Sequence, residues 1–423
     1  MSHVHVVGAG LAGLAAALRL AEAGGPRVSL WEATARAGGR CWSFHDARLD
    51  RLIDNGSHLV LAGNDAVMAH CARIGTAARL EVAETAALPF HDLETGRGWR
   101  LRLPLGLSDL LRRGVALPPG TALRLGPDAA RLLAAGPGAT VAQAIGGRGA
   151  AWTRLWEPLC LAVMNAPPER AAARPLAEVL RRIVLAGRGA ARPVLMPDGL
   201  GPTLVEPALA RLAEAGIAPA WRQPLTGIAR REGRAVALRF GDREVALGPG
   251  DAVVLALPAE AAAALLGRPA PGRGGDIVNA HYRVSPGLAA AAPPLLGLIS
   301  GRGQWLFRRG DVLSVTVSAA GPGERAALLD TLWREVARAL GTDEVPQAAR
   351  LVRVRGATPD QSPEALAARP GARPLANLAL AGDWIAGPLP ATIEAALVSG
   401  RAAAEAVLRA PVAAIAPEEA TAG

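Results

Sequence analysis

The chain has 423 residues, half of them apolar, and a net charge of +9 from 46 basic against 37 acidic residues. That length buries one large core or two, and no apolar run reaches the ~18 residues of a membrane-spanning helix. Every basic residue is Arg, scattered among acids in short pairs such as Arg112-Arg113 and Arg181-Arg182 that read as solvated faces, so a nucleic-acid partner is set aside and an anionic membrane surface stays open.

The chain enters directly on a strand-like run, His3-Val4-His5-Val6-Val7, which leaves no room for a signal peptide. Gly8-Ala9-Gly10-Leu11-Ala12-Gly13 follows, then an apolar helical pattern from Leu14 to Leu20, Gly24-Gly25, and a second strand run ending in Trp31-Glu32. Strand, glycine turn, helix, strand and acid within about 30 residues is the layout of a dinucleotide-binding unit. Gly8 permits the tight turn, Gly10 lets backbone approach a pyrophosphate, and Gly13 lets helix and strand pack closely. Glu32 is placed to accept from ribose hydroxyls and would repel a 2′-phosphate, which disfavours NADP.

Gly38-Gly39-Arg40 comes six residues after the ribose acid. The two glycines let the chain pass near the pyrophosphate, and Arg40 offers it a charged fork. A nicotinamide dehydrogenase does not need this second glycine pair, whereas an extended flavin dinucleotide can use it. Asp54-Asn55-Gly56-Ser57-His58 is a polar, turn-forming cluster in which Asn55 and Gly56 offer a second cofactor contact.

From about residue 76 to 190 the chain is Leu/Ala-rich with helical spacing and many Pro and Gly breaks, which predicts short helices of an inserted domain. Met196 to Gly201 reads as a turn before a helix over 202–215. Short β-type runs alternate with glycine turns from Leu225 to Leu257, read as one meander. Strands are expected at 277–282, 304–307 and 312–318, and a helix over 323–340. Leu378-Ala379-Leu380-Ala381 is a short buried strand ending in Gly382-Asp383, and a helix is expected from near Pro390 to Leu408. An Asp at a strand end followed by a helix N-terminus suits the ribityl hydroxyls and pyrimidine side of a flavin, which points to Gly382, Asp383, Thr392 and Ile393. The Ala/Pro/Glu-rich tail after Ala410 is expected to be disordered. Cys41, Cys71 and Cys160 are few and unpaired by motif, as reduced cytoplasmic thiols are, and no zinc-type spacing is present, so no metal is expected.

GAGLAGL, WEATARAGGRC, DNGSH and AGDWIAGPLPATIEAALVSGRAAAEA together resemble the flavin amine oxidase and phytoene desaturase superfamily. Within it the chain is most similar to the hydroxysqualene dehydroxylases. That narrowing rests on Ile53 to His58, Leu155 to Cys160, Asn165-Ala166-Pro167-Pro168, Gln304 to Phe307 and Leu389 to Glu394. Ser57 stands where Gln is expected, and Ala395 where many relatives carry Gly. The resemblance implies an α/β fold: a Rossmann-like FAD-binding domain from residues 1–75, 192–260 and 375–409, with an inserted α+β substrate domain from 76–191 and 261–374 and a tail at 410–423. It also implies that the Leu225 backbone lies against adenine. Amine oxidases of this group hold a Lys, through a water, near flavin N5; a chain without Lys cannot.

The activity implied is reductive removal of the hydroxyl of hydroxysqualene to give squalene, in squalene and hopanoid biosynthesis. The implied setting is the cytoplasm, with peripheral contact at the inner face of the cytoplasmic membrane and other squalene-pathway enzymes as partners. Such a reaction needs a proton for the leaving hydroxyl, a dry non-nucleophilic pocket for the allylic cation, and hydride from reduced flavin at near-contact distance. Long isoprenoid arms call for a long apolar tunnel. His58 is one candidate acid, or else a loop histidine hydrogen-bonded in place. Glu157 is the other, raised in pKa by burial, or else a carboxylate paired with an Arg. Trp152 and Trp156, four apart, share a helix face and serve either a cation or the core. Asn165 and Tyr282 are further catalytic candidates, and His281 and Tyr282 cannot both face the tunnel if their run is a strand. Three alternatives stay open: a phytoene-desaturase-like oxidoreductase or isomerase on another isoprenoid, a nicotinamide dehydrogenase, and a non-catalytic lipid-binding protein that retains FAD.

Overall fold

The computed structural model describes residues 2–102, 116–185, 189–321 and 325–409. Arg112-Arg113 and the tail after Arg409 lie outside them. A five-stranded parallel sheet runs in the order 219–220, 27–31, 3–7, 252–255, 378–380, the Rossmann-like arrangement expected. Parallel strands covered on both faces send alternate side chains to two cores. Val6, Leu30, Val254 and Ala379 pack under helices Leu11–Ala23 and Ile393–Leu408. Val7, Trp31, Val253, Leu255 and Leu380 face the other way, against Leu238 and Phe240. The two helices approach so closely that a Cβ on Gly400 would stand 2.0 Å from the Ala12 carbonyl oxygen.

The expected 225–257 meander is divided. Strands 225–231, 234–240 and 243–246 form a three-stranded antiparallel sheet, while 252–255 leaves it to lie beside 3–7 in the parallel sheet. Ala252 to Leu255 is buried at every position, which a half-exposed meander strand would not be.

The second unit is a seven-stranded sheet in the order 348–354, 276–283, 312–320, 305–309, 295–299, 87–92, 97–102. Three of its five inner strands, 276–283, 305–309 and 312–320, are those expected, and the helix Arg325–Leu340 follows. Strands 87–92 and 97–102 correct the reading of 76–190 as helical throughout; among the described residues its first α-helix is Ala122–Leu133, after a single 3-10 turn at Ala77–Arg79. Ala87 to Asp92 alternates half-buried and buried positions, a period-two signal interrupted by Pro89. Strand 295–299 pairs parallel with 87–92, a partner some 200 residues earlier in the chain.

The two faces of this sheet differ in chemistry. Val278, Ala280, Tyr282, Leu313, Val315 and Val317 pack with Leu332 and Val336 of helix Arg325–Leu340. The opposite face carries Asn279, His281, Ser314, Thr316 and Ser318, all buried. No helix among the described residues is long and apolar enough to cross a membrane.

Candidate active site

Two glycine segments meet at the C-terminal end of strand 3–7. Gly8 has φ +103°, and a Cβ there would stand 2.3 Å from the Ala256 carbonyl oxygen; one on Gly13 would stand 1.8 Å from that of Gly8. These two serve the packing of helix against sheet. Gly10 differs: the nearest atom to a Cβ built on it is Gly39 Cα at 4.0 Å. Gly38 N donates to the Ala9 carbonyl at 2.8 Å, which holds Gly38 and Gly39, both at positive φ, beside the first turn. Helix Leu11–Ala23 begins at Gly10 with no side-chain cap, so its first N–H groups point from a Cβ-free surface, as anion binding requires. Glu32 sits at the lip, accepting from Ala9 N at 2.8 Å and from Thr34 N and Oγ1 at 2.9 and 2.8 Å. Arg222 N and Gln223 N donate to the Thr34 and Glu32 carbonyls, so the chain entering the strand at Leu225 runs alongside Glu32.

The far end of the chain closes the same site. Arg40 pairs with the buried Asp383 through Nη2 at 2.5 Å, and its Nη1 donates to the Ala357 carbonyl. Half of the Arg40 side chain is accessible, so its guanidinium is open to a partner beyond Asp383 and Ala357. Asp383 holds its pKa above the ordinary guanidinium value. The last helix starts at Ile393 rather than near Pro390, because Thr392 caps it: Thr392 Oγ1 accepts from Ala395 N at 3.2 Å. Glu394 also leaves its own helix start and accepts from Ala66 N and Val67 N at 3.0 Å.

Asn55 braces this wall, its Nδ2 donating to the Arg40 carbonyl at 2.7 Å and its Oδ1 accepting from Trp42 N. Asp54 beside it accepts from Ser43 Oγ, from Leu200 N at 3.0 Å and from Arg309 at 2.5 Å. Beneath the loop lies Asn279, fully buried, whose Oδ1 accepts from Ser57 N at 3.2 Å and from Thr316 Oγ1 at 2.8 Å. A Cβ on Gly56 would stand 3.5 Å from Asn279 Nδ2. Ser43, Arg309, Asn279, Thr316 and Gln361 were missed in the sequence. The signal for two of them was present: Asn279 and His281 alternate with apolar residues, as do Ser314, Thr316 and Ser318. Gln361 carried none; it ties Met164 O to Ala391 N, drawing the inserted helices to the last helix.

His58 Nδ1 donates to the Gly56 carbonyl at 3.0 Å, which leaves Nε2 as the free ring nitrogen. The ring is exposed yet surrounded, and burial lowers its pKa below the ordinary imidazole value. Glu157 opens the helix Glu157–Met164, half-buried; desolvation first, then the Glu169 charge, raises its pKa. Among the described residues no Arg pairs with it, and no hydrogen bond joins it to His58. Trp152 and Trp156, in one turn of π-helix, are both core residues, with Trp156 Nε1 donating to Asp128 at 3.3 Å. Leu59 packs against that cluster, so the loop carrying His58 reaches the core that Glu157 borders.

Two catalytic expectations are corrected. Asn165 caps the helix Glu157–Met164 in the left-handed region and spends its amide on Gly275 O, Thr358 Oγ1 and Ala319 N, leaving no group for a substrate. Tyr282 lies on the apolar face, its OH donating to Leu329 O at 2.7 Å and its ring against Trp333. His281 is on the polar face with Ser314, and the neighbours do point oppositely.

The fold is shared with solved amine oxidases. Over 96% of this chain it superposes on 98% of a cyclohexylamine oxidase from Brevibacterium oxydans with TM-score 0.68 at 16% identity. With 99% of a putrescine oxidase the TM-score is 0.66 at 18% identity. The family model for flavin containing amine oxidoreductases matches residues 11–408, and the chain belongs to that family. Its cofactor is a flavin, which the Cβ-free cradle at Gly10 and Gly39, the acid Glu32 and the guanidinium of Arg40 fit. Within the family the chain groups with the hydroxysqualene dehydroxylases. It is 39% identical to that of Sinorhizobium fredii and 41% identical to that of Rhodopseudomonas palustris, each over 96% of this chain and 98% of the relative. With that of Zymomonas mobilis it shares 33% identity over 96% of this chain and 99% of the relative.

Proposed function

We propose that this protein is an FAD-dependent hydroxysqualene dehydroxylase, converting hydroxysqualene to squalene by reductive removal of the hydroxyl. The observation that carries this reading is 33–41% identity along nearly the whole chain to three enzymes of that name. FAD, rather than a shorter flavin, is supported by a glycine turn with a ribose acid and a chain segment at Leu225 running beside it, parts that only an adenosine half would use. In this reading residues 1–75, 192–260 and 375–409 hold FAD, and 76–191 with 261–374 hold the substrate.

Gly10 and the N-terminus of helix Leu11–Ala23 would receive the pyrophosphate with Gly38, Gly39 and Arg40, while Gly8 and Gly13 shape the turn and seat the helix that presents it. Glu32 would take the adenosine ribose and Leu225 the adenine edge. Gly382 and Asp383 would take the ribityl chain, Thr392 and Ile393 the pyrimidine side, and Asn55 and Gly56 would back the ring. When bound, reduced flavin supplies hydride. The chain's own task is to protonate the departing hydroxyl and keep water from the allylic cation. Glu157 suits the first, since burial and Glu169 keep its proton to higher pH than an ordinary carboxyl. His58 is the second candidate in the reading: Gly56 fixes its ring with the proton on Nδ1, and because burial lowers its pKa, Nε2 carries a proton to deliver only below the ordinary imidazole range. The apolar helical insert would receive the isoprenoid arms. The substrate's insolubility, with the surplus of Arg, supports peripheral contact with the anionic inner face of the cytoplasmic membrane, where other squalene-pathway enzymes would be neighbours.

The test is anaerobic photoreduction of the purified protein followed by mixing with hydroxysqualene. Flavin reoxidation with stoichiometric squalene by mass spectrometry is expected. A stable reduced flavin with unchanged substrate would overturn the reading in favour of a non-catalytic flavoprotein, and turnover only of other isoprenoids would favour a desaturase-like enzyme.

A further inference from the structure

Helix Ala122–Leu133 presents an apolar face to solvent. On its inner side Leu125, Ala129 and Leu132 pack into the core that holds Trp152, Leu155 and Trp156, and buried Asp128 accepts from Trp156 Nε1. The outer side of such a helix is ordinarily polar. Here Leu123, Pro127 and Ala130, at spacings of four and three, form its exposed centre, with Gly126 and Leu133 beside them. Leu123 is 92% exposed, more than any other large apolar side chain among the described residues, and Leu133 is 51% exposed.

Arg124 and Arg131, seven apart and so in line, run along one flank of this ridge. Both reach back toward Asp128, at 3.4 and 3.6 Å, with about half of each side chain left in solvent. Two cations share one carboxylate, so the flank stays positive. Asp128 is the only acid between residues 116 and 140, and it is buried. The loop ahead of the helix is held by Arg154, whose Nη1 donates to the Pro119 carbonyl at 2.7 Å. Gly120 in that loop meets Ala150, two residues from the exposed Arg148; a Cβ on Gly120 would stand 3.3 Å from Ala150 Cβ. Residues 76–191 as a whole hold 15 Arg against 9 acids, six of the chain's nine net positive charges.

An apolar ridge flanked by arginines and free of exposed acids complements an anionic bilayer: leucine enters the acyl boundary while guanidinium groups stay among the phosphates. A second copy of this chain fits less well, because a two-fold contact repeats the patch on both sides and sets its arginines against each other. We infer that helix Ala122–Leu133 is the face that lies on an anionic membrane, with Leu123 and Leu133 inserted and Arg124 and Arg131 on the headgroups. This rests on the peripheral contact proposed above and assigns it to one surface. The inner side of the same helix covers the core that Glu157 borders, so bilayer and core lie one helix diameter apart, about 10 Å.

The experiment is cosedimentation of the full-length, flavin-loaded protein with vesicles of phosphatidylcholine, alone or with about one-third phosphatidylglycerol. The proteins are wild type, L123D, L123D/L133D and V345D. Wild type is expected to bind the anionic vesicles at least tenfold more tightly than the neutral ones, with the difference shrinking in high salt. L123D/L133D should weaken anionic-vesicle binding at least tenfold while flavin content and Tm stay at the wild-type values. V345D alters an equally apolar side chain, 76% exposed in the loop after helix Arg325–Leu340, and should bind as wild type does. L123D alone decides the matter if the double variant fails to fold. Binding by L123D/L133D within twofold of wild type would overturn the inference, as would an equal loss in V345D. Loss of self-association in L123D/L133D, with vesicle binding intact, would give the face to a second copy instead. If wild type binds neither vesicle, the peripheral-contact reading itself has failed, a result distinct from a variant that binds normally.

Discussion

The end of the parallel sheet and the polar face of the wide sheet meet at one site but are built from different material. On the parallel-sheet side the surface is main chain: Gly10 and Gly39 face each other, helix N–H groups lie open, and side chains enter at the rim as Glu32 and Arg40. On the wide-sheet side the contacts are side chains brought from distant strands and a loop: Asn279 under Ser57, Arg309 on Asp54, and Gln361, from the loop before the helix Pro363–Ala367, between Met164 and Ala391. A backbone site fails when a Cβ is added, whereas a side-chain site fails when one partner is removed. The first depends on space and the second on complementarity.

The sharpest break of the first kind is Gly13→Val. Its Cβ would overlap the Gly8 carbonyl, so helix Leu11–Ala23 cannot seat, and purification should yield no yellow soluble protein. Gly24→Ala is the control: Gly24 has φ +65° but open space, so a loss of about 1 kcal/mol in denaturant unfolding and retained flavin are expected. Should both behave alike, close approach is not what the glycine turn provides. On the other side, Asp54→Ala leaves Arg309 and Ser43 without their shared acceptor, and a loss of about 3 kcal/mol is expected in the same measurement. A loss under 1 kcal/mol would mean that the network adds little to stability.

His58→Ala and Glu157→Gln change neither framework, and whichever removes the acid should slow turnover on the order of a hundredfold with flavin still bound. Since both act in the protonated form, activity should fall as pH rises, and the variant of the true acid should flatten that limb. Wild-type rates in both variants would remove the assignment.

A smaller effect distinguishes the cores under the two surfaces. Burial lowers His5, under the parallel sheet, to about 4, and His281, on the polar face, to about 3. An unfolded histidine titrates near 6.5, so the unfolded chain takes up protons first as pH falls. The stability these groups contribute is present above pH 6.5 and is lost on the way down through about 4 and 3. Between pH 6.5 and 5 each should account for ~1–2 kcal/mol of lost stability. A His281→Asn variant should lose less over that range, and an unchanged pH slope would contradict the burial reading.

The difference between the surfaces also explains what was legible. Gly8 to Gly13, Glu32, Gly38 to Arg40 and Gly382-Asp383 are local patterns, since a main-chain site needs particular residues at fixed short spacing, and these segments do come together. Strands 276–283, 305–309 and 312–320 were legible by alternation, and with them the opposed directions of His281 and Tyr282. Strands 87–92 and 295–299 were not, because their pairing joins segments some 200 residues apart and Pro89 interrupts the pattern.

The sequence by itself determined the strand, glycine-turn and helix unit, the segments that close it and the family, because short-range glycine and acid spacing encodes backbone geometry directly. Only the tertiary structure decided that Asn165 is a brace and Tyr282 a core residue, that Glu394 reaches another helix, and that Asp383 lies between Arg40 and Arg369. Those outcomes turn on which donors and acceptors are already engaged, a property of groups far apart along the chain that no local pattern carries.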